Sequence, residues 1–193
     1  MAKLYFKYGA MGSSKSAQAL ITKFNYEEKG MKVWLIKPAV DTRDGNNIVK
    51  SRIGLYSEAD IIKENDDIYE LFAEHKANVV IADECQFLTA EHIEQLRNIV
   101  DDFNTPVLCF GLRTDFRTKL FAGSRRLFEI ADSISEIKTI CQCGKKAIVN
   151  ARLNDSGIAI THGNKILLGG NDTYIAMCHK CWKKSIDESC KKL

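Results

Sequence analysis

Residues 9–16 read GAMGSSKS, and this stretch decides the fold. It fits the phosphate-binding loop pattern GxxxxGK[ST] at Gly9, Lys15 and Ser16, although Ser14 occupies the place of the second glycine. In such a loop, backbone N–H groups and the following helix surround the phosphates, the lysine contacts phosphate oxygens, and the hydroxyl binds Mg²⁺. Ser14 would then carry a strain cost of about 1–3 kcal/mol if its φ has to be unusual. The eight residues alone fit an ordinary strand-to-helix turn with a solvated Lys15 equally well.

The segments around this loop alternate between strand and helix patterns. Apolar runs predict strands at 4–8, 32–36, 79–82, 107–110 and 134–139. Periodic or capped segments predict helices at 16–28, 68–75 and 124–131, and one more that Thr89 caps. Gly30 is placed to end the first helix, and residues 44–66 are predicted only as a mobile loop followed by a short strand. The alternation indicates an α/β fold like that of the P-loop NTPases. Its mostly parallel sheet is flanked by helices, and ligands bind at the carboxyl ends of the strands.

Two adjacent carboxylates, Asp83 and Glu84, directly follow the apolar run at 79–82. At this position an acid of a phosphate-binding enzyme holds magnesium, either with the hydroxyl of Ser16 or through water. Adjacent side chains at a strand end can face different ways, so one carboxylate can serve the metal and the other can accept a proton. The alternative is a pair of surface acids that begins a loop.

Four of the seven cysteines form two pairs that suit a metal. Cys141 and Cys143 make a CxC pair, Cys178 and Cys181 make a CxxC pair, and 34 residues separate the pairs. Tetrahedral zinc accepts four thiolates, and such a closed site is structural. Four unrelated thiols are the alternative. We therefore predict two domains, a phosphate-binding domain at 1–138 and a small zinc-ribbon domain at 139–193.

Composition limits the remaining possibilities. The chain has 193 residues, 45% of them hydrophobic, and no apolar run of the length that a membrane span needs. No signal peptide precedes the fold, so we expect a cytoplasmic protein whose thiols stay reduced. Cys109 is expected in the core, Cys85 near a nucleotide and Cys190 in the tail. The net charge is +6 from Lys138 onward and −3 before it.

Seven motifs are spread over nearly the whole chain: GAMGSSKS at 9–16, IKPAVDTR at 36–43, DECQF at 83–87, GLRTDF at 111–116, ICQCG at 140–144, GGNDTY at 169–174 and CHKC at 178–181. In combination they resemble the type II thymidine kinases, the cellular thymidine kinase family. The resemblance implies magnesium-dependent phosphorylation of thymidine by ATP at the 5′-hydroxyl, with Glu84 as general base. It also supports zinc at the four cysteines.

The nucleotide and metal sites follow from the same resemblance. It implies ATP binding by Gly9, Ala10, Met11, Gly12, Ser13, Ser14, Lys15, Ser16, Asp83, Glu84, Cys85 and Gln86. Ser16 and Asp83 would hold the magnesium. Asp41 to Arg43 match a family stretch near the nucleotide, and a solvated loop is the alternative there.

The thymidine site is implied by position as well. Phe87, Leu112, Phe116 and Phe121 match family residues around the thymine base. A substrate-covering lasso loop is implied for Lys165, Ile166, Leu167, Leu168 and Gly169, together with Tyr174. Ser14 and Arg113 depart from the pattern of the family or of its animal members, and Arg113 has no assigned role.

Further family properties enter as implications only. They are a homotetramer, inhibition by thymidine triphosphate, use of deoxyuridine, and a place in nucleotide salvage for DNA synthesis. A membrane or nucleic-acid partner is not expected. Two alternatives remain open at this point: a P-loop ATPase that couples hydrolysis to motion, and a basic zinc ribbon that binds nucleic acid.

Overall fold

The computed structural model describes residues 1–42, 45, 47–163 and 174–190, with only the backbone of 188–190. The strands of the described part are β1 (Leu4–Tyr8), β2 (Val33–Pro38), β3 (Ile48–Lys50), β4 (Tyr56–Glu58), β5 (Asp60–Ile62), β6 (Val79–Ala82), β7 (Val107–Gly111), β8 (Ser133–Glu136), β9 (Thr139–Ile140), β10 (Lys146–Ala147), β11 (Val149–Leu153), β12 (Ala159–Ile160) and β13 (Tyr174–Met177). Its helices are α1 (Lys15–Glu27), α2 (Ile68–His75), α3 (Ala90–Phe103), α4 (Ala122–Ile130) and α5 (His179–Cys190), with a 3-10 turn at Cys85–Phe87.

Six strands form one parallel sheet in the order β5-β2-β6-β7-β1-β8. Tyr8 is in register with Gly111, and Ala82 is in register with Cys109. The segments that follow β1, β6 and β7 therefore start side by side at the same edge of the sheet. This sheet, with its flanking helices, confirms the predicted fold class.

The alternation of side chains along the strands gives the sheet two apolar faces. On one face Phe6, Ile36 and Val80 pack with residues of α2, α3 and α4, and on the other Leu35 and Ile81 pack with residues of α1. All four residues of β6 are buried, as expected for a central parallel strand covered on both sides. Burial of both faces fixes the register of the strands that lead into the ligand edge.

Most of the predicted helix and strand bounds agree with the structure within a few residues. Thr89 caps α3 by accepting a hydrogen bond from the His92 backbone N–H at 3.0 Å, as predicted. Gly30 has a φ of +75°, but the C-cap of α1 is Glu28, two residues before the glycine. The predicted strand at 134–139 is wrong as a single element, because β8 belongs to the large sheet and β9 pairs with β10.

Residues 44–66 were predicted only as a loop followed by a short strand. The described part of this region contains an antiparallel hairpin of β3 and β4, followed by β5. Lys37, only 1% exposed, anchors the segment before this hairpin. Its Nζ lies 3.2 Å from the carboxylate of Asp41 and donates to the carbonyl of Ile48 at 3.0 Å. A buried lysine needs such a partner, so this pair fixes the path of the chain out of β2.

The C-terminal part is built from short antiparallel strands. β9 pairs with β10, β11 lies between β12 and β13, and α5 follows β13. Its small core contains Cys141, Ala147 and Cys178. The domain boundary at residue 138 stays a prediction. None of the helices in the described ranges is long and apolar enough to span a membrane.

Candidate active site

The candidate site lies where β1, β6 and β7 end. The backbone N–H of Gly9, the first residue after β1, donates to the carbonyl of Gly111 at the end of β7, at 3.2 Å. The two carboxylates Asp83 and Glu84 follow β6, which pairs with β7. The phosphate loop and the carboxylates predicted from sequence thus share one edge of the sheet.

The backbone of the phosphate loop is left-handed at two positions. Gly12 has a φ of +72°, and Ser14 has a φ of +62° and a ψ of +26°. Ser14 therefore does adopt the conformation that glycine normally supplies, at a cost of about 1–2 kcal/mol for a residue with a Cβ. The loop keeps its shape without the second glycine of the pattern.

The lysine and the helix of this loop are arranged to receive an anion. Lys15 is 7% exposed, and its Nζ donates to the carbonyl of Ala10 at 2.9 Å, close to the Ser13 hydroxyl. A solvated Lys15, as an ordinary turn would have, is therefore wrong. α1 begins at Lys15, and no side-chain hydrogen bond from its N-cap residue Ser14 covers its first amides. Those amides and the positive end of the helix dipole are suited to phosphate.

Asp83 has the features of a residue that could hold a cation. It is 3% exposed, and its Oδ1 is buried with no hydrogen-bond partner among the described residues. Burial and the charge of Glu84 raise the pKa of Asp83 to about 7, against the opposing effect of a hydrogen bond from the Ser16 hydroxyl. An unpaired carboxylate oxygen beside a hydroxyl is an oxygen donor set that suits Mg²⁺.

Glu84 is held by a neighbour two residues away. It has a φ of +50° and starts the 3-10 turn Cys85–Phe87. The Nε2 of Gln86 donates a hydrogen bond to the Glu84 carboxylate, and the Oε1 of Gln86 accepts one from the backbone N–H of Leu112 at 2.8 Å. Gln86 itself is 2% exposed. The carboxylate orientation is therefore fixed to the chain that follows β7.

Two glycines let other parts of the chain approach this turn. A Cβ on Gly111 would lie 2.6 Å from both the Sγ of Cys85 and the Oε1 of Gln86. A Cβ on Gly123, in α4, would lie 2.6 Å from the carbonyl oxygens of Cys85 and Leu88. The atoms that a methyl group would meet at Gly123 belong to the backbone, so this position requires glycine. At Gly111 a methyl group would displace the side chains of Cys85 and Gln86. Cys85 is fully buried, and burial raises the pKa of its thiol well above the ordinary value.

The predicted aromatic residues lie in two arrangements. The rings of Phe87 and Phe121 meet edge to face with centroids 5.5 Å apart. Phe116 is 1% exposed, and the guanidinium groups of Arg117 and Arg152 lie 5.6 and 5.3 Å from its ring centroid. Phe116 thus has a structural partner in the C-terminal part, since Arg152 belongs to β11.

The chain that joins these aromatics to the sheet is fixed by its backbone. Leu112 donates its N–H to Gln86, and its carbonyl accepts a hydrogen bond from the Ser124 hydroxyl at 2.6 Å. Tyr174 begins β13 opposite Arg152 of β11. The lasso residues Lys165 to Gly169 and Arg43 lie outside the described residues. Within the described part of the chain, Arg113 donates a long hydrogen bond of 3.5 Å to the carbonyl of Ile148, and this contact gives it no role.

The four predicted cysteine ligands come together. The sulfur atoms of Cys141, Cys143, Cys178 and Cys181 all lie within 4.8 Å of one another. The sulfurs of Cys143 and Cys178 are 3.7 Å apart, close to the edge of about 3.8 Å that a tetrahedron with Zn–S bonds of about 2.3 Å requires. The backbone N–H of Cys181 also points to the sulfur of Cys178 at 3.5 Å. This cluster could hold a zinc ion.

The electrostatics of the cluster agree with a cation site. Backbone N–H groups of Cys143 and Cys178 lower the pKa of the Cys141 thiol to about 6. Hydrogen bonds to the neighbouring sulfurs, led by that of Cys143, raise the pKa of Cys181 to about 12. The thiolate of Cys141 is therefore stabilised, whereas the neighbouring sulfurs disfavour the thiolate of Cys181. A bound dication would relieve this repulsion between the sulfurs.

Sequence analysis missed Asn150, which touches the phosphate loop. Asn150 of β11 is 3% exposed and accepts a hydrogen bond from the backbone N–H of Met11. The signal that could have found it is a polar residue inside an otherwise apolar strand pattern. Its partner, however, lies 139 positions away in the sequence.

The comparison with protein families settles the resemblance. The sequence model of the family described as "Thymidine kinase" matches residues 2–182. The chain belongs to the thymidine kinase family. The general reaction of a thymidine kinase is transfer of phosphate from ATP to thymidine, so this is a family of nucleotide-binding kinases.

Individual thymidine kinases are similar over nearly the full chain. The thymidine kinase of Enterobacteria phage T4 is 47% identical over 188 residues, which are 95% of this chain and 97% of the phage protein. Those of Photobacterium profundum and Legionella pneumophila are 44% and 46% identical, covering 99% and 90% of the relatives and 96% and 95% of this chain. A solved DNA replication initiation factor aligns with a TM-score of 0.41 and 13% identity, covering 70% of this chain and 40% of that one, which is too distant to inform function.

Proposed function

We propose that this chain transfers the γ-phosphoryl group of ATP to the 5′-hydroxyl of thymidine, with Glu84 as the general base. In this step the 5′-oxygen forms a bond to the γ-phosphorus while the bond to the β,γ-bridging oxygen breaks. The hydroxyl proton passes to the Glu84 carboxylate, and ADP carries away the electron pair. The observation that carries the proposal is the buried Glu84 carboxylate, oriented by Gln86 beside the cation-type oxygen of Asp83.

The phosphate loop is proposed to bind ATP through residues 9–16, with Cys85 and Gln86 lining the same site. The first amides of α1 and the Lys15 ammonium would neutralise the phosphate oxygens. Lys15 must then exchange its contact with the Ala10 carbonyl for a phosphate oxygen. Ser16 and Asp83 would hold the magnesium. That ion supplies charge neutralisation of the phosphates when it is bound.

The thymidine side is proposed to use the chain that follows β7 and the 3-10 turn. Phe87 and Phe121 offer an edge-to-face pair, Phe116 a buried ring, and Leu112 a backbone fixed at both its N–H and its carbonyl. A flat base recognised by rings and backbone groups fits such a set. We include Tyr174 and residues 165–169 on family resemblance, together with the use of deoxyuridine.

Zinc at the four cysteines is proposed to be structural, because four thiolates leave no position for water. Four further points rest on family resemblance: a homotetramer, inhibition by thymidine triphosphate, a cytoplasmic location, and a role in nucleotide salvage for DNA synthesis. The two domains, divided near residue 138, remain part of this proposal.

The test is ADP release by the purified chain with magnesium and ATP, with and without thymidine. We expect turnover that depends on thymidine, and a loss of 10²- to 10⁴-fold in kcat for Glu84→Gln, the usual contribution of a positioned base. Glu91→Gln, at an exposed acid in the first turn of α3, is the control and should keep the parent rate. ADP release that is unaffected by thymidine would instead favour a P-loop ATPase.

A further inference from the structure

Asn150 connects two loops that follow the neighbouring strands β1 and β7. Its Oδ1 accepts a hydrogen bond from the backbone N–H of Met11 in the phosphate loop at 2.8 Å. Its Nδ2 donates to the backbone carbonyl of Thr114, also at 2.8 Å. The side chain is 3% exposed, so the bond to Thr114 is buried and the bond to Met11 is partly buried. One carboxamide therefore joins the phosphate loop to the segment after β7.

The two partners of Asn150 are a backbone donor and a backbone acceptor, and this difference limits which side chains can make both bonds from position 150. Met11 presents a donor and Thr114 an acceptor, so the joining side chain must accept on one side and donate on the other. An aspartate would place an oxygen against the Thr114 carbonyl, and a leucine of similar size would make neither bond. Leaving either backbone group buried and unpaired costs about 1–3 kcal/mol. The position therefore requires a carboxamide rather than any polar residue.

The second partner belongs to the segment that carries the aromatic site. Thr114 is 6% exposed, forms a β-bridge with Leu120, and stands two residues before Phe116. Asp115, the next residue, closes the same turn by accepting hydrogen bonds from the backbone of Arg117 and Lys119 at 2.9 Å. A shift of the Thr114 carbonyl would therefore move the whole turn that leads to Phe116.

The strand that carries Asn150 is itself held on both sides. β11 pairs with β12 and β13, and Asn150 is in register with Ala176. The carboxamide is thus attached to a three-stranded sheet of the C-terminal part rather than to a loop. The C-terminal sheet can in this way set the distance between the two loops.

We propose that Asn150 is a positioning residue that aligns the phosphate loop with the nucleoside segment at 114–121. This rests on the proposed function, in which ATP occupies the first loop and the nucleoside the second. Phosphoryl transfer requires the attacking oxygen in line with the γ-phosphorus, and a misplacement of about 1 Å can cost about 10²-fold in rate. Asn150 acts through the two backbones and touches neither reacting atom.

The test compares Asn150→Leu with Asn154→Ala, a control in the turn that follows β11. Asn154 also accepts backbone hydrogen bonds, from Ser156 and Ile158, but in an exposed turn. The readouts are the affinity for a non-hydrolysable magnesium-ATP analogue by calorimetry, kcat, the KM for thymidine, and the thermal midpoint. Asn150→Ser, a smaller polar replacement, is measured as well. The role of Asn150 can then still be tested if the leucine variant does not fold.

We expect Asn150→Leu to bind the analogue at least tenfold more weakly and to lose about 10- to 100-fold in kcat. Asn154→Ala should lower the thermal midpoint but keep affinity and kcat within twofold. Parent-like affinity and kcat in both Asn150 variants would overturn the proposal, as would an equal loss in Asn154→Ala. If the parent shows no thymidine-dependent turnover, the proposed function fails. Analogue binding alone then decides the role of Asn150: a tenfold loss supports it, and an equal affinity overturns it.

Discussion

The side chain of Gln86 donates a hydrogen bond to the Glu84 carboxylate while its oxygen accepts one from the N–H of Leu112. Gln86 therefore orients the proposed base without being a base itself. It also ties that base to the backbone beside which the nucleoside would lie. The consequence is that the rate should depend on Gln86 more than stability does.

We expect Gln86→Leu to lower kcat by about 10- to 100-fold, since a misoriented carboxylate no longer meets the hydroxyl in line. The KM for ATP should change less than kcat does, because the described hydrogen bonds of Gln86 go to Glu84 and Leu112 rather than to the phosphate loop. Gln95→Leu is the matched control, because Gln95 likewise accepts a backbone hydrogen bond, from Ile68 at 2.9 Å, but in α3. Steady-state kinetics of both variants test whether Gln86 orients Glu84. An unchanged kcat in Gln86→Leu would contradict that role.

Ser14→Gly should stabilise the chain. The left-handed conformation of Ser14 costs about 1–2 kcal/mol for a residue with a Cβ, and glycine adds about 0.5–1 kcal/mol of unfolded-state entropy. The net gain in the free energy of unfolding is therefore about 0–1.5 kcal/mol, measured by urea denaturation. Ser14→Ala retains the Cβ and should show no gain. A destabilised glycine variant would mean that the serine side chain makes a compensating contact.

The sequence could predict the parts of the fold that rest on local patterns. The apolar run of β6, the cap at Thr89 and the four cysteines were each visible in short stretches, and the structure confirms them. The hairpin of β3 and β4 was not visible, because strands of three residues with polar faces give almost no periodic signal. The hairpin is anchored by the buried ion pair between Lys37 and Asp41. From sequence alone, two charged residues of this kind would be expected at the surface.

Side-chain partners in the site were the least predictable part. Gln86 was assigned to the nucleotide by resemblance, whereas its described hydrogen bonds go to Glu84 and Leu112. Asn150 was not singled out, because its partners lie 139 and 36 positions away. Contacts of that kind depend on how β11 docks against the large sheet, and no pattern within one segment encodes docking.

Removal of metal should lower the thermal midpoint by at least about 10 °C, because structural zinc supplies on the order of 10 kcal/mol of folding free energy in small domains. Cys178→Ser should have a similar effect, since the buried sulfur of Cys178 contacts both Cys143 and Cys181. The measurements are the metal content per chain and a thermal scan with and without a chelator. Cys190→Ser is the control for loss of a thiol, and a full zinc content in Cys178→Ser would exclude the four-cysteine site.

Stability at low pH should depend on Asp132. The Leu4 N–H at 2.7 Å and the Arg97 guanidinium at 2.6 Å hold the pKa of this carboxyl below its ordinary value. A lowered folded-state pKa adds stability that is complete above the unfolded-state pKa and is lost as pH falls through the folded-state pKa. Because the side chain is 36% exposed, the contribution is discounted to about 0.5–1 kcal/mol.

Urea denaturation of Asp132→Asn against the parent measures this contribution. We expect the variant to be less stable by that amount at pH 7, with the gap closing as the pH falls below about 4, the ordinary pKa of an aspartate. Asp155→Asn, at an exposed acid in the C-terminal part, serves as the comparison. A gap that persists unchanged to pH 2 would show that packing rather than charge is responsible.

Gly111 and Gly123 enclose the turn that carries Glu84 from two sides, with no space for a methyl group at either position. We therefore expect substitutions that preserve activity at positions other than these two glycines. A library that seeks altered nucleoside selectivity should keep both glycines unchanged and place its diversity at Phe87, Phe116 and Phe121. The turn that carries Glu84 would then be the same in every variant. A change in the preferred base would come from the substituted aromatic residues alone.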